Sequence, residues 1–152
     1  MLKKVICSFL VLSASVFAGD IVVEDLYVRA VPPNLQNSAS FMKIMNKSNK
    51  DIYLIGAKSS GAKTLELHEH KINNGMMVMR QVKHIKVPAN GMIELKPGGY
   101  HVMMIGLNKI FKAGYNIKNM ELDFSDGEAI MFHNVPIKSV MGGITHMEMK
   151  KK

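Results

Sequence analysis

Short apolar stretches separated by turn-forming residues are the feature that most limits how this chain can fold. The separators, among them VPPN, INNG, VPANG, KPGGY and SDGE, are rich in Gly, Asn, Asp and Pro, which favour turns at strand ends. No stretch repeats its apolar residues at helical spacing, so we expect an all-β fold, a Greek-key β-sandwich in a single domain. Strands are predicted over residues 21–30, 40–46, 51–59, 63–70, 76–87, 91–96, 101–107, 115–125 and 128–137.

The two ends of the chain differ from this strand pattern. Residues 1–18 combine two lysines, the apolar run VICSFLVLSASVF and small residues before Ala18, which is the layout of a secretory signal peptide. We therefore expect export to the periplasm, a folded domain over residues 19–141, and a flexible His/Met/Lys tail over 142–152. The apolar run is too short to span a bilayer, so no stable membrane insertion is predicted after cleavage.

Cys7 is the only cysteine, and it lies inside the predicted signal peptide, too early for a lipoprotein cysteine. The exported protein is therefore expected to have no thiol, which excludes disulfides, zinc–thiolate sites, cysteine nucleophiles and blue-copper centres. No Ser-His-Asp arrangement, carboxylate pair or phosphate-binding glycine loop stands out, so no enzyme is predicted. The formal net charge is +8, but the basic residues are scattered, and no nucleic-acid surface is expected.

Two predicted strands each place candidate functional side chains on one face. In KTLELHEH, His68 and His70 share the face opposite the two leucines, which are typical of a core. In HVMMIGL, His101 and Met103 project to the same side, directly after the turn KPGG. A pair at the start of a strand lies at the rim of a sandwich, where rigid scaffolds commonly carry binding groups.

The turn INNG joins the first of these strands to MMVMRQ and leaves two registers open. A turn at Asn74-Gly75 places His70 opposite Met79, whereas a turn at Asn73-Asn74 places His68 there. Either register brings an imidazole near a thioether, since cross-strand Cβ atoms lie roughly 5 Å apart. The residues alone do not decide which histidine faces the methionine.

Imidazole and thioether together form a soft donor set, which favours Cu(I) among the common biological metals. Zinc prefers thiolate, imidazole or carboxylate ligands, and hard cations prefer oxygen. Methionine is also a frequent core filler, and this chain has 14 of them. The alternative is therefore a metal-free Ig-like interaction module in which His and Met serve only for packing.

Two segments carry a resemblance to a known family, LELHEH and GMMVMRQVKHIKVPANGMIELKPGGYHVMMIGL. They resemble the periplasmic copper chaperone family PCuAC (DUF461), and the resemblance extends from roughly residue 21 to 132. The family pattern is a His, ten residues, a Met, twenty-one residues and His-x-Met, and His68, Met79, His101 and Met103 match every spacing. The resemblance implies a cupredoxin-like β-sandwich in which these residues bind one Cu(I) per chain. It also favours His68 over His70 as the residue that meets Met79.

The resemblance further implies the copper acceptor and the protein partners. It predicts delivery of copper to the CuA site in cytochrome c oxidase subunit II or to another exported cuproprotein, with a Sco-like thioredoxin-fold protein as a second partner. A weak extra copper site is conceivable at the tail, where His146, Met147 and Met149 lie close in sequence. His70 is expected to orient His68 without binding the metal itself, as neighbours of metal ligands often do.

Overall fold

The computed structural model describes residues 19–140, and this part of the chain contains no helix, hence none that could cross a membrane. The predicted all-β fold is confirmed. The predicted signal peptide and the tail at 142–152 lie outside the described residues. The ten strands are β1 Ile21–Arg29, β2 Asn37–Asn46, β3 Ile52–Ser59, β4 Ala62–Asn73, β5 Met76–Gln81, β6 Ile85–Val87, β7 Gly91–Leu95, β8 His101–Leu107, β9 Asn116–Phe124 and β10 Ala129–Lys138.

The strands form one continuous hydrogen-bonded ribbon that encloses the core in two layers. Neighbours run in the order β5-β4-β8-β2-β1-β10-β9-β3-β6, and β7 pairs with the part of β2 that β8 does not cover. Within residues 19–140, β1 and β10 pair in parallel, and the other pairs are antiparallel. Core residues from β2, β4 and β8 pack against residues of β3, β6 and β9, so the ribbon folds back on itself.

Strand β8 is held in place by side chains that alternate between the core and the outer face. Val102 and Met104 are fully buried, and across the ladder they pair with Leu67 and Leu65 of β4. Successive strand residues point to opposite faces, so His101 and Met103 lie on the outer face of this layer. The predicted shared face of this His-Met pair is confirmed.

The predicted strand over 76–87 is in fact two strands, β5 and β6, separated at residues 82–84. Strand β5 pairs with β4 at one edge of the ribbon, whereas β6 pairs with β3 at the other end. The chain therefore changes layer inside a segment that was predicted as one strand. The prediction failed here because pairing partners, and not local composition, decide where this strand breaks.

The hairpin between β4 and β5 adopts the register with His70 opposite Met79. Its turn residues Asn74 and Gly75 have φ of 50° and 77°, as a two-residue type I′ turn requires. The register that the resemblance favoured, with His68 opposite Met79, is wrong, because His68 pairs with Gln81. Asn-Gly is the better type I′ dipeptide, since glycine tolerates positive φ without steric cost.

A β-bulge in β1 turns Tyr27 toward the outer face, where it meets Phe41 of β2. The pairing of β1 with β2 shifts between Glu24 and Tyr27, and Asp25 in this gap has a φ of 53°. A bulge inserts one extra residue and so exchanges the two faces of a strand. Beyond it Tyr27 pairs with Phe41 of β2, and the two rings lie 5.4 Å apart on the outer face.

Replacing Gly75 with alanine tests the turn. An alanine side chain meets no atom within 4 Å there, so the cost comes from the φ of 77° alone, about 1–2 kcal/mol for a left-handed residue. We expect a lower free energy of unfolding and faster amide exchange in β5. Gly56→Ala is the matched control, since Gly56 has no positive φ and faces only the Asp123 side chain. Equal losses in both variants would contradict the assigned turn.

Candidate metal centre

Strands β4, β5 and β8 collect histidine, methionine and one carboxylate on the outer face of their layer. Residues that pair directly across a ladder point to the same face, and three such pairs are adjacent here. The predicted ligands Met79 and Met103 therefore share a face and do not lie on opposite sides of the molecule. The pairs are His68 with His101, Glu66 with Met103, and His70 with Met79.

Three imidazoles meet at the start of β8. The ring centre of His101 lies 4.9 Å from that of His70 and 5.7 Å from that of His68. His101 is only 2% exposed, and the Phe41 ring lies beside it at 6.3 Å. The cluster thus has one buried histidine at its centre and two half-buried histidines on β4.

Burial favours the neutral form of His101, and one hydrogen bond fixes the orientation of its ring. Burial lowers the pKa of His101; the neighbouring His70 and His68 add to this effect, whereas the Gly99 carbonyl opposes it. The Nδ1 atom lies 3.1 Å from the Gly99 carbonyl oxygen, so a neutral ring donates there and keeps its lone pair on Nε2. A neutral imidazole with its second nitrogen fixed in this way is the form that binds a metal.

Glu66 orients His68. Its Oε2 lies 2.8 Å from Nε2 of His68, so the neutral ring donates from Nε2 and carries its lone pair on Nδ1. That Nδ1 is buried and has no hydrogen-bond partner within residues 19–140. The prediction that His70 orients His68 is thus not supported, because the carboxylate two residues earlier on the same face does so. The alternation Glu-x-His was the signal for this contact.

A cavity of about 240 Å³ opens beside the cluster. Its walls include His70, Met79, His101 and Met103, together with Phe41 and Arg29, but they do not include His68. Three of the four predicted ligands therefore line one cavity, and the fourth lies next to it against His101. Met79 is 46% exposed, so the cavity reaches the surface on the side of β5.

The donor chemistry of this cavity is restricted. Among the described residues no carboxylate lines it, and no group of three or more His, Cys, Asp or Glu side chains between residues 19 and 140 is arranged to hold a metal ion. The cavity therefore offers soft donors, the sulfurs of Met79 and Met103, beside the imidazoles of His70 and His101. The Arg29 guanidinium, 5.2 Å from the centre of the Phe41 ring, adds a positive charge to one wall.

Comparison with known proteins identifies the class to which this fold and this cluster belong. The family model described as "Putative lipoprotein LpqE-like" matches residues 21–137, so the chain belongs to the LpqE-like family, the PCuAC family of the sequence resemblance. A putative lipoprotein of Leifsonia xyli subsp. xyli, Lxx21020, is 33% identical over 126 residues. The match covers 82% of this chain and 74% of that relative.

Solved structures agree with the fold. The copper-bound PCuAC domain from PmoF2 matches with a TM-score of 0.67 at 20% identity, over 80% of this chain and 95% of that domain. CuI-DR1885 from Deinococcus radiodurans, solved in solution, is 32% identical with a TM-score of 0.63, over 76% of each chain. Apo-DR1885 is 29% identical with a TM-score of 0.63, over 94% of this chain and 95% of that one. The predicted cupredoxin-like fold is confirmed.

Replacing Glu66 with alanine tests the tautomer of His68. Without the carboxylate, we expect His68 to populate both neutral tautomers, because nothing then selects Nε2–H. His101 should keep its tautomer, since the Gly99 carbonyl still accepts from Nδ1. Imidazole ¹⁵N chemical shifts report both rings separately.

The matched control is Glu69→Ala. Glu69 lies on the opposite face of β4, where it binds Arg80. Identical His68 shifts in the wild type and in Glu66→Ala would contradict an orienting role for Glu66.

Proposed function

We propose that this protein is an exported Cu(I) carrier that binds one ion per chain and is not an enzyme. The observation that carries the proposal is the convergence of Met79, His101 and Met103 on one cavity, with His68 beside it. These residues carry the full family spacing. The relative CuI-DR1885, at 32% identity, is copper-bound by its name.

The four proposed ligands fit a monovalent soft ion. Two neutral thioethers and two neutral imidazoles suit Cu(I), whose preferred ligands include Met and His. Arg29 in the cavity wall repels a divalent ion twice as strongly as a monovalent one at the same distance. Within residues 19–140 the carboxylate nearest the proposed ligands, Glu66, is engaged by His68 and does not line the cavity, which disfavours Ca²⁺ and Mg²⁺, since both require oxygen ligands.

The position of the cavity suits transfer to another protein. Strand β5 is the end strand of the ribbon, and its proposed ligand Met79 is half exposed. An acceptor can therefore replace this thioether first while the buried His101 still holds the ion. A packing role does not explain Met79, because a core filler is buried; this argues against the metal-free Ig-like module.

The finer assignments follow from the family. We propose that residues 1–18 direct export to the periplasm, in keeping with the description of the family and of the Leifsonia relative as putative lipoproteins. The proposed acceptor is the CuA site of cytochrome c oxidase subunit II, with a Sco-like protein as a further partner. Both assignments come from the family resemblance.

Replacing Met79 and Met103 together with leucine tests the ligand set. Met→Leu preserves volume and is well tolerated in folded proteins, so the fold should persist while both sulfurs are lost. In a Cu(I) competition titration against bicinchoninate under reducing conditions, the wild type should bind one equivalent. The double variant should bind at least about 100-fold more weakly, since even groups that only support a ligand are worth 10- to 100-fold.

The matched control is Met92→Leu, because Met92 on β7 is equally exposed (47%) but lines a different cavity. It should bind like the wild type. One equivalent bound at full affinity by Met79→Leu/Met103→Leu would rule out these sulfurs as the ligands.

A further inference from the structure

His70 has no place in the family spacing, yet it lines the cavity that His68 does not reach. It lies directly opposite Met79 in the β4–β5 ladder. Its ring is nearer to His101 than the ring of His68 is, at 4.9 Å against 5.7 Å between centres. His70 is therefore the β4 histidine that shares a cavity with the other three proposed ligands.

The hydrogen bonds separate His70 from the other two histidines. His68 is fixed by Glu66 and His101 by the Gly99 carbonyl. The Nδ1 atoms of His68 and His70 are both buried without a partner within residues 19–140, but no side-chain hydrogen bond in this range fixes the ring of His70. A buried polar atom without a partner is costly, and a bound ion would satisfy it. Of the three imidazoles, the ring of His70 is thus the least constrained by hydrogen bonds.

The two β4 histidines lie at neighbouring positions on one face of a strand. Residues two apart along a strand are separated by roughly 6.5–7 Å, and the ring of His101 lies close to both. An ion that stays bound to His101 can therefore pass from one β4 histidine to the other. It would move less than the distance between these two residues, because His101 lies close to both. With His70 the ion occupies the cavity next to the exposed Met79; with His68 it lies beside the cavity, near Glu66.

We propose that His70 is a fifth copper-binding residue, which exchanges with His68 for one coordination position. The outer position, with His70 and Met79, receives and releases the ion, and the inner position, with His68, retains it. His101 and Met103 belong to both positions. This inference rests on the proposed Cu(I) function and adds a path by which the ion enters and leaves.

A double-mutant cycle of His68→Ala and His70→Ala tests the exchange, with Cu(I) affinity measured by bicinchoninate competition. Each single variant should still bind one equivalent, with an affinity loss below about tenfold, because the remaining histidine substitutes for the lost one. The double variant should lose at least about 100-fold, more than the product of the single losses. His133→Ala, which removes an exposed histidine bound to Asn119 on the far strand pair, should change nothing.

The release rate and the wild-type NMR spectrum give two further readouts. Transfer of Cu(I) to bicinchoninate should be slower from His70→Ala than from the wild type or from His68→Ala. On Cu(I) titration of the wild type, imidazole ¹⁵N signals of both His68 and His70 should shift, while that of His133 stays fixed. The NMR result holds even if the double variant fails to fold.

The outcomes distinguish a failure of the proposed Cu(I) function from a failure of the proposed exchange between His68 and His70. A wild type that binds no Cu(I) overturns the proposed function together with the exchange. A wild type that binds one equivalent overturns the exchange alone if the His70 signal does not move, or if the double variant binds as His68→Ala does.

Discussion

The burial of Val102 and Met104 in the core is the interaction on which the rest of the site depends. Because a strand alternates its side chains, two core residues on one face of β8 force His101 and Met103 onto the other face. A slip of one residue would exchange the two sets and abolish the cluster. The β4 leucines that pair with these core residues impose the same constraint on His68 and His70.

Local alternation was enough to predict the faces of β4 and β8 and the all-β class, because both depend on which residues are apolar. The spacing of His68, Met79, His101 and Met103 was matched through the family resemblance. The features that depend on pairing between distant parts of the chain could not be predicted from local sequence patterns. The break between β5 and β6 depends on partners in different layers, and the place of His70 in the cavity depends on an Asn-Gly turn for which two registers were open.

The electrostatics of the site follow from neutral donors held beside one cation. Burial lowers the pKa of His101, the Gly99 carbonyl fixes which of its nitrogens carries the proton, Glu66 selects the tautomer of His68, and thioethers have no proton to lose. Affinity for a metal therefore does not require deprotonation of a thiol, which would oxidise in an exported protein. Met79 is half exposed on the end strand, which suits the proposed release of copper to another protein.

Copper K-edge X-ray absorption of the protein loaded with one equivalent of Cu(I) tests the central claim most directly. The account predicts a copper ion in the monovalent state with both sulfur and imidazole nitrogen in its first shell, since the described chain offers sulfur only from methionine. A first shell of nitrogen and oxygen alone, without sulfur, would contradict it.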